Sequence, residues 1–177
     1  MSFRHAILGL LSHGPVHGYD LKSCFVRDLV PSDRLNIGQV YTTLDRLRRD
    51  GFVGHQKIAQ SERPDKKVYH LTPAGRNELR EWLETPTALE LDLRNETYLK
   101  LMTARRLDWA SPDQVISTEK RACMTRLHEM QLARIAADHD GSPVQTRMLL
   151  ELALLRLEAF AKWLDRCETL LKEERDT

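Results

Sequence analysis

A chain of 177 residues that is 41% hydrophobic and 30% charged has enough apolar material for a core, but must build that core from amphipathic elements. No apolar run approaches the ~20 residues of a membrane-spanning helix, and Met1-Ser2-Phe3-Arg4-His5 lacks a signal-peptide layout, so a soluble, cytoplasmic protein without a membrane partner is expected. The formal net charge is only +1, yet residues 1–85 hold 13 Lys and Arg against 10 Asp and Glu, while residues 86–177 hold 14 against 16.

Phe3, Ala6, Ile7, Leu10 and Leu11 repeat at helical spacing, which predicts an amphipathic helix closed by Ser12-His13-Gly14-Pro15. A second helix is expected from His17-Gly18-Tyr19, with Leu21, Cys24, Phe25 and Leu29 on one face and a break at Val30-Pro31-Ser32-Asp33. A third starts near Asn36, carries Ile37, Val40, Leu44 and Leu47 as its apolar stripe, and stops at Asp50-Gly51. Phe52 to Ala59 and Lys67 to Leu71 predict two short strands joined by a polar turn from Gln60 to Lys66. Thr72-Pro73 then supplies an N-cap and a first-turn proline for a fourth helix whose buried face is Leu79, Trp82 and Leu83.

The second half shows no strand signal. A helix is expected from Glu96 to Leu107 with Tyr98, Leu101 and Met102 inward. Ser111-Pro112-Asp113-Gln114 and Ser142-Pro143-Val144-Gln145 predict two capping boxes, each opening a long helix, the first ending at Asp140-Gly141 and the second near Leu171. Ile116, Cys123, Met130 and Ala137 recur every seven residues, as do Leu150, Leu157, Leu164 and Leu171, with Phe160 and Cys167 between them; this is the spacing of a coiled-coil seam. The last helix has a second stripe of Leu152, Leu155, Ala159, Trp163 and Leu170. A helix apolar on two sides needs two neighbours, here the preceding helix and the same pair in a second subunit. Leu150, Leu157, Phe160, Trp163, Leu164 and Leu171 are the expected dimerisation residues.

Three short helices, a hairpin and a closing helix within about 85 residues is the order of a winged helix-turn-helix. The expected architecture is mainly α: a winged helix-turn-helix domain of mixed α and β structure over residues 1–86, then an all-helical, coiled-coil-like dimerisation domain over 87–177. In such a motif the second helix enters the major groove. Here it offers Asn36, Gln39, Thr42, Thr43 and Arg46; amides suit the adenine edge, Arg suits guanine, and Thr suits a hydroxyl contact or the thymine methyl. Arg63, Lys66 and Lys67 on the hairpin suit phosphates or the minor groove. Tyr19 and Lys22 open the preceding helix and are phosphate-contact candidates, although Tyr19 also fits a half-buried position. Double-stranded DNA is thus the expected partner.

Ala6-Ile7-Leu8-Gly9-Leu10-Leu11, Gly14-Pro15, His17-Gly18-Tyr19-Asp20-Leu21, Gln39-Val40-Tyr41-Thr42-Thr43-Leu44-Asp45-Arg46-Leu47, Gly51-Phe52-Val53 and Lys67-Val68-Tyr69-His70-Leu71-Thr72-Pro73-Ala74-Gly75-Arg76 together resemble the PadR family of transcriptional regulators. Arg63-Pro64-Asp65-Lys66-Lys67-Val68-Tyr69, Leu99-Lys100-Leu101-Met102 and the length of the helical half are similar to its virulence-activator-like subgroup. The resemblance implies a homodimer on a near-palindromic operator, repressing rather than activating, with Tyr19, Tyr41, the third helix and the wing on DNA. The family pattern often has Ser-Leu-Tyr-Pro where this chain has Gln39-Val40-Tyr41-Thr42, so the operator sequence does not carry over.

Two other classes compete with this reading. Catalysis lacks support: there is no nucleophile elbow, phosphate loop, HExxH motif or paired carboxylates in a Gly-rich setting. No cofactor or metal is expected, since Cys24, Cys123 and Cys167 are far apart and sit among apolar residues as small hydrophobes, with a redox-sensing thiol as the alternative. A winged helix used only for protein interaction is disfavoured by the basic wing and the Arg-bearing third helix. A small aromatic effector stacked on Trp82, Trp109 or Trp163 at the dimer interface stays open beside ordinary core packing of those residues.

Overall fold

In the computed structural model, which describes residues 3–29, 36–58, 66–88 and 95–176, the chain divides into two units, Met1–Ala88 and Leu89–Thr177. In the first, α1 (Phe3–Leu11) turns Ile7, Leu8, Leu10 and Leu11 inward, as its periodicity predicts. It packs on α2 (Asp20–Asp28), α3 (Ile37–Arg49) and α4 (Pro73–Glu84). Leu21 and Phe25 from α2, and Val40, Leu44 and Leu47 from α3, complete the helical part of one core. Each leucine buried in this way contributes about 1.5–3 kcal/mol.

The hairpin consists of β2 (Val53–Ile58) and β3 (Lys66–Leu71), antiparallel, with Gly54 opposite His70 and His55 opposite Tyr69. Val53 and Tyr69 face the core. The expected second helix begins later than its sequence signal. Val16–His17 forms a strand, β1, and α2 starts only at Asp20. β1 pairs antiparallel with β3, Val16 opposite Tyr69, so β3 is the centre of a three-stranded sheet. The physical reason is the free edge of β3, whose unpaired backbone groups gain partners from the segment leaving the Gly14 turn.

Capping follows the sequence in this unit. The Asn36 side chain accepts from Gly38 N at 2.8 Å, and Thr72 Oγ1 accepts from Gly75 N at 3.0 Å while donating to Gly51 O at 2.8 Å. Gly51, at φ +78°, takes the left-handed position that ends α3. The expected buried face of α4 needs correction. Leu79 packs on the core, but Trp82 and Leu83 are 41% and 69% exposed, because the layer that α4 covers ends at Leu79. Trp82 lies flat against the His5 ring, 4.9 Å away and 2° from parallel.

The described elements of the second unit are helices: α5 (Glu96–Ala104), α6 (Pro112–His139) and α7 (Val144–Arg175). The inward face of α5 is Thr97, Leu101 and Ala104; Tyr98, expected inward, lies one position off that face and is 45% exposed. Neither expected capping box forms. Ser111 is the N-cap of α6 but its hydroxyl makes no cap bond. Ser142 donates its N–H to Ala137 O, which ties it to the closing turn of α6 and moves the cap of α7 to Pro143.

α6 and α7 run antiparallel, with Arg134 meeting Glu151 and Arg175 meeting Asp113. Between them Cys123, Leu127 and Leu154 form one cluster, joined by Met130, Leu157 and Phe160; Leu101, Ile116 and Leu171 form another, joined by Trp163 and Cys167. Leu164 is fully enclosed. Glu168 accepts from Lys120 and Lys172 across and along the pair, which holds its carboxyl at about 2. A carboxylate held below its ordinary value stabilises the fold above that value and loses its effect as the pH falls through the folded one. Melting temperatures of wild type and Glu168→Gln should therefore differ above about pH 5 and converge toward about pH 2; parallel profiles would show that these ion pairs add nothing.

Candidate nucleic-acid interface

α3 presents its apolar stripe to the core, so its remaining sides must face outward. Gln39, Thr42 and Arg46 are exposed and Thr43 is half-buried. These four line one side of an open groove of about 680 Å³, whose other walls include Phe3 and Arg4 of α1. The structure thus brings together four of the five reading-helix residues expected from sequence. The fifth, Asn36, is also exposed, but its carboxamide oxygen is engaged by the helix's own Gly38 amide. Its role at the site is to anchor the start of α3, with only its NH₂ left for another acceptor.

Thr42 Oγ1 donates to Gly38 O at 2.9 Å and Thr43 Oγ1 to Gln39 O at 2.8 Å. Both hydroxyl hydrogens are therefore committed to the helix itself. What the two threonines can offer a base is a methyl group or an accepting lone pair, which narrows their chemistry relative to a free hydroxyl.

Tyr41 occupies the opposite flank of α3, 40% exposed, with its ring close to Gly18 and Tyr69. Burial, then the nearby Asp45 and Tyr41, push the Tyr69 hydroxyl upward, so this core residue stays neutral. Tyr19, read from sequence as either a contact or half-buried, is 73% exposed at the turn into α2. Lys22 is half-buried on α2. Lys67 is exposed on β3 opposite Lys57. Lys66 belongs to β3 by its backbone, and Arg63 lies outside the described residues.

Two cations escaped the sequence-based set. Arg48 is exposed in the last turn of α3, where the run Arg46-Leu47-Arg48-Arg49 could have flagged it. Arg4 pairs with Glu78 at 3.1 Å and sits 5.3 Å from the Phe52 ring centre, yet still borders the groove beside α3. Nothing local in the sequence links Arg4 to α3; only the packing of α1 does. Among the described residues no group of His, Cys, Asp and Glu is placed to hold a metal. All three cysteines are free, and burial pushes the Cys123 and Cys167 thiols up.

The residues expected to form a dimer divide differently from the sequence reading. Leu164 and Leu171 are buried, and Leu157, Phe160 and Trp163 are packed, within the chain's own seam, with Leu150 half-buried. The apolar surface that α7 leaves open is Val144, Met148, Leu149, Leu152, Leu155 and Leu170, between 40% and 67% exposed. A heptad repeat registers that a helix has a partner but not which chain supplies it.

Residues 7–81 match the Transcriptional regulator PadR-like family. The chain is 24% identical over 178 residues to the negative transcriptional regulator PadR of Bacillus subtilis, covering 97% of this chain and 98% of that protein. Crystal structures of that relative with operator DNA and with p-coumaric acid share the fold at TM-scores of 0.65 and 0.66, covering 95% and 96% of this chain and 97% and 95% of theirs, each at 24% identity. The Vibrio cholerae virulence activator AphA is 25% identical, with a TM-score of 0.63 over 98% of this chain and 99% of that one. These are regulators rather than enzymes. Over its winged-helix residues 7–81, the chain is thus similar to the PadR-like family of transcriptional regulators.

Proposed function

We propose that the protein is a sequence-specific regulator that binds a near-palindromic operator in double-stranded DNA as a homodimer, and that it represses from the cytoplasm. Residues 1–86 hold the DNA and residues 87–177 hold the two chains together. The observation that carries this reading is the reading helix itself: α3 is capped, backed by Val40, Leu44 and Leu47, and shows Gln39, Thr42 and Arg46 outward beside a groove. Arg48, Tyr19, Lys22 and Lys67 supply backbone-contact chemistry around it. The B. subtilis relative, crystallised with operator DNA and named a negative regulator, supports both the ligand and the sign.

The test is selection from a random duplex library at low salt, followed by titration of single-base variants of the enriched site. Lys67→Ala should weaken all sequences about equally. Gln39→Ala or Arg46→Ala should relax preference at particular base pairs by about 1–3 kcal/mol. Equal losses on every variant for Gln39 and Arg46 would show that neither reads bases, and no enrichment at all would remove the reading.

A second reading adds a small aromatic effector. Its support is a relative crystallised with p-coumaric acid and an open cavity of about 1070 Å³ in the first unit, walled by Phe25, Leu10, Leu79 and Trp82. Trp82 is the tryptophan that this cavity favours among the three considered from sequence; Trp109 is 84% exposed and Trp163 packs against the cluster around Leu101, Ile116 and Leu171.

A further inference from the structure

Gly18 stands between β1 and α2, buried, and without a left-handed φ that would itself require glycine. Its side is taken by two rings. A Cβ there would lie 2.7 Å from Tyr41 Cε1, 3.3 Å from Tyr41 Cζ and 3.2 Å from Tyr69 Cε2. Carbon atoms attract best at about 3.5–4.0 Å, so the first of these is a hard overlap. Tyr69 is 3% exposed and fixed in the sheet, with Val16 of β1 as its register partner. It cannot retreat. Tyr41 belongs to α3 and is the freer of the two.

We propose that Gly18 is a positioning residue for DNA reading: by admitting the Tyr41 ring against its backbone, it sets how α3 is rotated about its own axis. Tyr41 works as a key on one flank of α3, seated against the turn before α2 and against the sheet. The residues of the other flank, Gln39, Thr42, Thr43 and Arg46, turn with the same helix. A methyl at residue 18 forces either the ring off its rotamer or the helix to rotate. A helix that rotates moves a contact set whose value depends on two-point hydrogen-bond geometry, and a ring that swings away leaves α3 without its seat on that flank. The inference rests on the DNA-reading function proposed above and adds to it a residue that never touches a base.

The test uses the full chain as wild type, Gly18→Ala, Tyr41→Ala and the double variant. Each is titrated on the site enriched by the wild type and on random duplex of equal length, and each is melted. Gly18→Ala should lose about ten-fold on the enriched site with a much smaller change on random duplex. Once Tyr41 is alanine, adding Gly18→Ala should change affinity by less than about two-fold, since the overlap is gone. Should Gly18→Ala alone fail to fold, the double variant should restore folding. Unchanged binding by Gly18→Ala, fully additive losses, or a double variant that stays unfolded would each overturn the proposal. A separate arm needs no DNA: with isotope-labelled tyrosine, the Tyr41 ring signals should shift in Gly18→Ala, and unshifted signals would also overturn it. If the wild type enriches no site, the DNA-reading function falls, and with it this role for Gly18, while shifted ring signals would still establish the contact.

Discussion

Changing Leu152 and Leu155 together to glutamate should leave the protein folded but monomeric, and should lower affinity for a two-half-site operator by about 10²–10⁴-fold. Both side chains lie on α7, 46% and 60% exposed, in line with Met148 and away from the seam that holds Leu154 and Leu164. Removing an exposed leucine costs the single chain little, while glutamates set against an apolar partner face must be desolvated without a counter-charge. The large loss on DNA follows from linkage: when one head is bound, the second meets its half-site at a high effective concentration, and a monomer forfeits that gain. Sedimentation equilibrium at tens of micromolar gives the mass, and titration on one-half-site and two-half-site duplexes separates linkage from damage. Half-site affinity should be unchanged. A double variant that remains dimeric would show that the outward face of α7 is not the subunit contact.

Leu44→Ala should destabilise the protein by about 2–5 kcal/mol, a large part of the roughly 5–15 kcal/mol that holds a domain together. Leu44 is fully buried, between Val40 and Leu47 on the inner side of α3, within the core shared by α1, α2 and the sheet. Truncating it removes the transfer energy of the side chain and leaves a cavity that several elements would have to move to fill. Thr42→Ala, two residues away on the outer side of the same helix, should stay within about 0.5 kcal/mol. Denaturant unfolding followed by helical circular dichroism compares the two. A Leu44→Ala loss no larger than that of Thr42→Ala would mean that the inner side of α3 is not packed as described.

The contrast between these two residues shows why α3 was legible from sequence. Val40, Leu44 and Leu47 repeat at helical spacing, Asn36 and Gly51 mark its ends, and each of those signals is local. β1 was not legible, because Val16 and His17 carry no period and are a strand only by virtue of the β3 edge brought to them. Trp82, Leu83 and Tyr98 were assigned inward on apolar character, yet how far a core extends depends on the neighbouring helix rather than on the residue. The heptad leucines pack against the neighbouring helix of their own chain, a partner that spacing alone does not distinguish from one in a second chain. Ser111 and Ser142 match a capping pattern, but a backbone bond from Ser142 to Ala137 decided where α7 begins.

The two-residue strand β1 also bears on how the first unit comes together. The β2–β3 hairpin and helices α1 to α3 each rest largely on contacts close in sequence. The Val16 to Tyr69 ladder instead closes a loop of roughly fifty residues, whose entropic cost precedes any reward from the pairing. Because the ladder ties the hairpin to the segment before α2, the wing is expected to melt together with α3 rather than as a separate appendage.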